Sequence, residues 1–213
     1  MYTNNQSHIF DPTIEIEEYY THSIDGVPVC HKSWKELRRP NDDMLLTQYY
    51  DEYCNLIANN KNLCHIPEEV LRQWIYPFND DANSLRNYAW IDYYKSRFVL
   101  CELDIETLCN EVNVNEYGSE LVSQRGSLRD FSDFCWTDED IACWANNKTW
   151  NTPPVILDVK SFGNIPKWAD ISGTYQLIEG HQRLGYLRAV VKMAHVGKTG
   201  FKTSHKVYLL HNQ

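Results

Sequence analysis

Within the run Ile178-Glu179-Gly180-His181-Gln182-Arg183 the chain brings together a carboxylate, a glycine, an imidazole, an amide and a guanidinium. A carboxylate such as Glu179 can hold Mg²⁺ or act as a general base. Gly180 has no Cβ, so the backbone there can approach a ligand closely. His181, Gln182 and Arg183 add hydrogen-bond donors, and an arginine can grip two phosphate oxygens at once. Glu179 and His181 are therefore the candidate catalytic groups. Gly180, His181, Gln182 and Arg183 are the candidate phosphate ligands, and Glu179 is the candidate Mg²⁺ ligand. The same residues have a plainer use: His181 and Arg183 could cap the turn or pair with acids, Glu179 among them.

The elements on either side decide which use is open. Thr174–Ile178 reads as a short apolar strand, and from Gly180 onward Leu184, Leu187, Val191 and Ala194 recur at helical spacing. A strand turning into a helix leaves the first helical N–H groups unpaired at the positive end of the dipole, where anions bind. Val155–Val159 and Lys206–Leu210 read as two further strands, separated from their neighbours by the loop Phe162–Gly173 and the break at Gly197–Gly200. Upstream of Pro153-Pro154 the pattern is helical. Helices are expected over Asp42–Asn59, from Pro67 to a stop at Pro77, from Asp81–Ser84 to Lys95, over Asp104–Val112, and from Asp138 to about Asn146. The aromatic spacing of Asn87–Phe98 is expected to be a packed helix face. His195, His205 and His211 are expected at the surface. A short extended piece is expected at Val27–Cys30. The fold class expected is α+β, a mostly helical N-terminal region followed by a small mixed α/β region.

Composition limits the partners. The chain has 213 residues and a net charge of −9, a sign that repels a phosphate backbone at long range. Extended nucleic-acid binding is therefore not expected. The charge is uneven: residues 151–213 carry eight Lys/Arg and three acids, which leaves the first 150 residues strongly acidic. That asymmetry suggests two functional halves, the acidic one suited to a protein partner. No run approaches the 18 or so apolar residues a spanning helix needs, so no membrane association is expected. The first residues lack a basic stretch followed by an apolar one, and the expected location is cytoplasmic. Seven scattered cysteines without a C-x-x-C pair read as reduced thiols. A zinc site at Cys64-His65 or Cys135…Cys143 is disfavoured by the spacing.

The order PPVILDVK, loop, TYQLI, E-G-H-Q-R, LGYLRAVVKMA, HKVYLLH resembles the ParB/sulfiredoxin-like superfamily, whose signature is a strand feeding a G-x-x-R turn and a helix. The turn is similar to the D-G-H-x-R of the ParB-like nuclease and free-serine-kinase branches. The resemblance covers about the last third of the chain, extending back to Leu128 if the helix at 138–146 belongs to it. It implies residues 121–213 as the ParB/sulfiredoxin-like domain and 1–120 as a mainly helical accessory region. It implies ATP or CTP as ligand, with Mg²⁺, and adds Lys160 on the first strand as a nucleotide contact. Two departures narrow it. No cysteine follows Cys143, which excludes sulfinic-acid repair, and Gln182 interrupts the basic run of the DNA-partitioning members. The expected function is nucleotide phosphate binding, extending to NTP-dependent phosphotransfer or hydrolysis. The alternatives are a non-catalytic interaction protein (an immunity, antitoxin or phage-defence component) using its acidic surface, and a ParB-like nuclease.

Overall fold

The computed structural model describes residues 16–39, 49–135 and 137–213. The fold is α+β, and the chain divides into two compact units. The first comprises Met1–Phe98, Ser161–Ile171 and Asn212–Gln213; the second comprises Val99–Lys160 and Ser172–His211.

The first unit opens with α1 (Ile16–Thr21) and a hairpin of β1 (Ser23–Ile24) and β2 (Val27–Pro28), turned by Asp25 and Gly26 at positive φ. The short helix α2 (Lys32–Glu36) and α3 (Tyr50–Asn59) follow. The start expected for α3 at Asp42 or Asp43 lies outside the described residues. Next come α4 (Glu68–Val70), a π-helical turn (Leu71–Ile75) and α5 (Tyr76–Phe78). The helical run ends at Phe78, one residue past the stop expected at Pro77. Proline lacks an N–H and clashes with the carbonyl four residues back, and the wider π turn just before it relieves that conflict. Then α6 (Ala82–Tyr88) starts on Asp81, whose carboxylate accepts from Asn83 and Ser84 N–H.

The helix expected to continue to Lys95 ends at Tyr88. Asp92 is the reason: its side chain accepts from Tyr94 N–H, and its carbonyl accepts from the Lys95 and Ser96 N–H groups and the Ser96 hydroxyl. Such a local turn competes with the helical ladder. The aromatic strip is nonetheless core, with Tyr88, Tyr93 and Phe98 buried against Trp34 and Trp74. The loop expected at Phe162–Gly173 begins in this unit, where Arg86 donates to the Trp168 carbonyl and the Asp170 N–H donates to Asn87.

The second unit is built on a five-stranded sheet in the order β3-β7-β5-β6-β4. Two of its strands were not expected: β3 (Ser96–Asp104), which fills the stretch between the helices expected to end at Lys95 and to start at Asp104 and whose first residues belong to the first unit, and β4 (Val112–Asn113), at the end of the second of those helices. Between them α7 (Ile105–Asn110) is capped by Asp104, which accepts from Thr107 N–H. After β4 come α8 (Glu116–Arg125), a 3₁₀ turn (Phe131–Asp133) and α9 (Asp138–Asn147), capped by Thr137. The remaining elements fall close to expectation: β5 (Val155–Asp158) with a 3₁₀ turn (Val159–Ser161), β6 (Tyr175–Glu179), α10 (His181–His195) and β7 (Ser204–Asn212). Strand β6 runs antiparallel to β5 and parallel to β4, and β5 runs parallel to β7. The core beneath α8 and α10 includes Val122, Phe134, Trp144, Ile156, Leu177, Leu184 and Leu187.

His205 departs from its expected surface position. It is 1% exposed, bonded through Nδ1 to the Thr149 hydroxyl at 2.9 Å, with its ring 5.0 Å from that of Trp150. The alternation of β7 turns it inward with Val207.

Candidate functional site

Strands β4 and β6 are parallel neighbours, and each feeds a helix from its carboxyl end, β4 into α8 and β6 into α10. In open α/β sheets this edge is where ligands collect. The two helix starts touch: a Cβ built on Gly118, in the first turn of α8, would stand 2.0 Å from Cδ2 and 2.3 Å from Nε2 of His181. Only a glycine lets the imidazole lie there. The two starts differ in how they meet their unpaired N–H groups. Asn115 caps α8 by accepting from Gly118 N–H at 3.0 Å, and Glu116 places an acid in its first turn. Helix α10, of 15 residues, has no side-chain cap and no acid in its first turn.

Gly180 begins α10 in the left-handed region at φ 108°, and a Cβ there would meet the Pro154 Cβ at 2.5 Å. Both the dihedral and the contact exclude any other residue without strain. Arg183 then folds back across the turn. Its Nη1 donates to the Thr152 carbonyl at 2.8 Å, and its Nη2 donates to Glu179 Oε1 at 3.3 Å. The guanidinium thus ties together the end of β6, the start of α10 and the segment entering β5.

Electrostatically the site is dominated by burial. It raises the Glu179 carboxyl above the usual range while Arg183 pulls it back, and it disfavours the Arg183 charge while Glu179 restores it. Each charge is tolerable because of the other. His181 is pushed down to about 4 by burial and by the neighbouring guanidinium, and its Nε2 is buried without a hydrogen-bond partner. It is therefore a neutral imidazole at pH 7. Gln182 accepts from the Tyr186 hydroxyl at 3.0 Å.

Of the residues singled out by sequence, Glu179, Gly180, His181, Gln182 and Arg183 lie together. Lys160 does not join them. The β5–β6 register sets Val155 opposite Glu179 and Asp158 opposite Tyr175, so Lys160, beyond Asp158, stands at the opposite end of the strand pair. The four residues of β5 span about 13 Å, a 3₁₀ turn carrying Lys160 follows them, and the lysine side chain is exposed to solvent. Asn115, Gly118 and Thr152 are members of the site that sequence reasoning missed. Only the Asn115-Glu116 cap signal before an unremarked helix pointed to the first two.

The Glu179 carboxylate is engaged by Arg183, and among the described residues no group of three or more His, Cys, Asp or Glu could hold a metal ion. The N–H groups of a helix start are donors of the kind a phosphate uses. No helix among the described residues is long and apolar enough to cross a membrane. No family model, curated protein or solved structure matches the chain.

Proposed function

We propose that the chain binds the phosphate of a nucleotide, ATP or CTP, at the start of α10, as a ParB/sulfiredoxin-like protein, and that it binds without turnover. The observation that carries this reading is the meeting of two helix starts at the carboxyl ends of a parallel strand pair, one capped and acidic, the other neither. The dipole of α10 and its first N–H groups favour an anion there. The pairing of Glu179 with Arg183 supports binding over general-base or metal chemistry at that carboxylate.

A thermal-shift series with ATP, CTP and GTP tests it. A ligand at a hundred times its Kd adds about 2.7 kcal/mol of stability. Gln182→Glu is the informative variant, since it keeps an acceptor for the Tyr186 hydroxyl and adds a negative charge at the second helical residue. Its own melting temperature should hold or rise, because an acid suits a helix start, while its nucleotide shift should vanish. Absence of any shift in the wild type overturns the reading, and an unchanged shift in Gln182→Glu moves the site elsewhere.

A further inference from the structure

Strand β3 ends the five-stranded sheet, with β7 as its one strand neighbour among the described residues. From Val99 onward it belongs to the second unit. Successive strand residues point to opposite faces. Cys101 and Leu103 pack against the core, so Val99 shares their face, while Leu100, Glu102 and Asp104 share the other. Val99 is 43% and Leu100 49% exposed, which leaves both faces of the strand open to solvent at that point. An outlying strand presents a row of N–H and C=O groups along its free edge, and folds commonly blunt such an edge with lysine or proline. Residues 99–104 contain neither. The charges that stand there are both acids, Glu102 and Asp104, on the face away from the core. Glu102 is steadied on that face by the Ser204 hydroxyl, which donates to its Oε2 at 2.7 Å.

We propose that the free edge of β3 docks an extended peptide of alternating apolar and basic residues, which joins the sheet as a further strand. Main-chain hydrogen bonds supply the affinity, and alternate side chains supply the specificity. On the core side the peptide's apolar residues lie beside Val99, Cys101 and Leu103. On the other side its Lys or Arg residues meet Glu102 and Asp104, with their aliphatic stems along Leu100. Opposite charges on neighbouring strands attract and like charges repel, so the same two acids turn acidic strands away. A second copy of β3 is a poor occupant. Its outer face reads Phe98, Leu100, Glu102, Asp104 and offers no cation, and each copy carries a net charge of −9.

The probe is the fluorescently labelled peptide Thr-Lys-Val-Arg-Val-Lys-Thr, capped at both ends and followed by anisotropy, with its three basic residues replaced by Glu as the control. Wild type should bind the basic peptide and reject the acidic one, and the bound peptide should slow amide hydrogen exchange within residues 99–104. Glu102→Gln keeps an acceptor for the Ser204 hydroxyl but loses the charge, and should weaken binding about two- to fivefold. Leu100→Lys sets a cation on the outer face of the edge and should weaken binding on the order of tenfold with the melting temperature unchanged. No binding of the basic peptide to wild type overturns the proposal. So does equal binding of the acidic peptide, undiminished affinity in Leu100→Lys, or protection that falls outside residues 99–104. A free protein that sediments as a dimer with residues 99–104 already protected gives the edge to a second copy, and this too overturns it. Should either variant not fold, the exchange map of the wild type alone decides.

Discussion

Arg183 is the residue on which the candidate site turns. Its spacing after Gly180 was legible in the sequence, as was the glycine's conformational need. What it holds was not, because Thr152 is 31 residues away and no local pattern shows that its carbonyl arrives at the turn. The resemblance added Lys160 as a nucleotide contact, but β5 runs antiparallel to β6 and carries it to the other end of the strand pair. Arg183→Ala removes a charge-assisted bond to Thr152 and strands a half-buried carboxylate, so it should cost about 2 kcal/mol of stability. Urea denaturation measures this. Arg183→Lys should recover only part of it, because an ammonium cannot span both partners in one plane as the guanidinium does. Full stability in Arg183→Ala would show that the clamp contributes little.

Between elements, the decisive contact is α8 against α10, and it depends on small residues. A Cβ on Gly185 would stand 2.5 Å from the Arg125 Cβ and 2.9 Å from the Val122 carbonyl oxygen. Alanine would gain about 1 kcal/mol of helix propensity over glycine. Overpacking against another helix's backbone costs about 1–3 kcal/mol, and a carbonyl inside a helix cannot swing aside as a side-chain tip can. The second effect wins, so Gly185→Ala should lower the melting temperature although it improves the isolated helix. A rise instead would mean the two helices separate easily. The elements themselves were unevenly legible. Strands β5, β6 and β7 and helix α10 follow from apolar runs bounded by Pro153-Pro154, Gly180 and Gly197–Gly200. Strand β3 was hidden because its aromatic lead-in matched a helical period until Asp92 turned the chain.

For the molecule as a whole, the α+β class was readable from the change of period at Pro153-Pro154, but the charge division at residue 150 does not follow the compact units. Residues 99–160 join the sheet, and 161–171 return to the first unit, so an acidic and a basic stretch share one core. Burial of titratable groups in that core sets the pH response. His205 and His181 are both pushed down to about 4 by burial, against 6.5 in an unfolded chain. Below pH 6.5 the unfolded state takes up protons that the folded state refuses, so the stability these two groups contribute falls from there and is almost all lost by about pH 4. For His205 the loss is on the order of 3 kcal/mol; partly exposed His181 contributes less. Glu179 works in the opposite sense. Its raised pKa means that the folded state binds a proton first, adding stability as pH falls through that value. Urea midpoints at pH 7, 6 and 5 should therefore drop through a window in which exposed carboxylates are still mostly ionised. His205→Asn, which cannot titrate, should flatten the drop between pH 6.5 and 5 even if its stability at pH 7 is lower. An equally steep fall in that variant would place the acid sensitivity on groups other than the buried imidazole of β7.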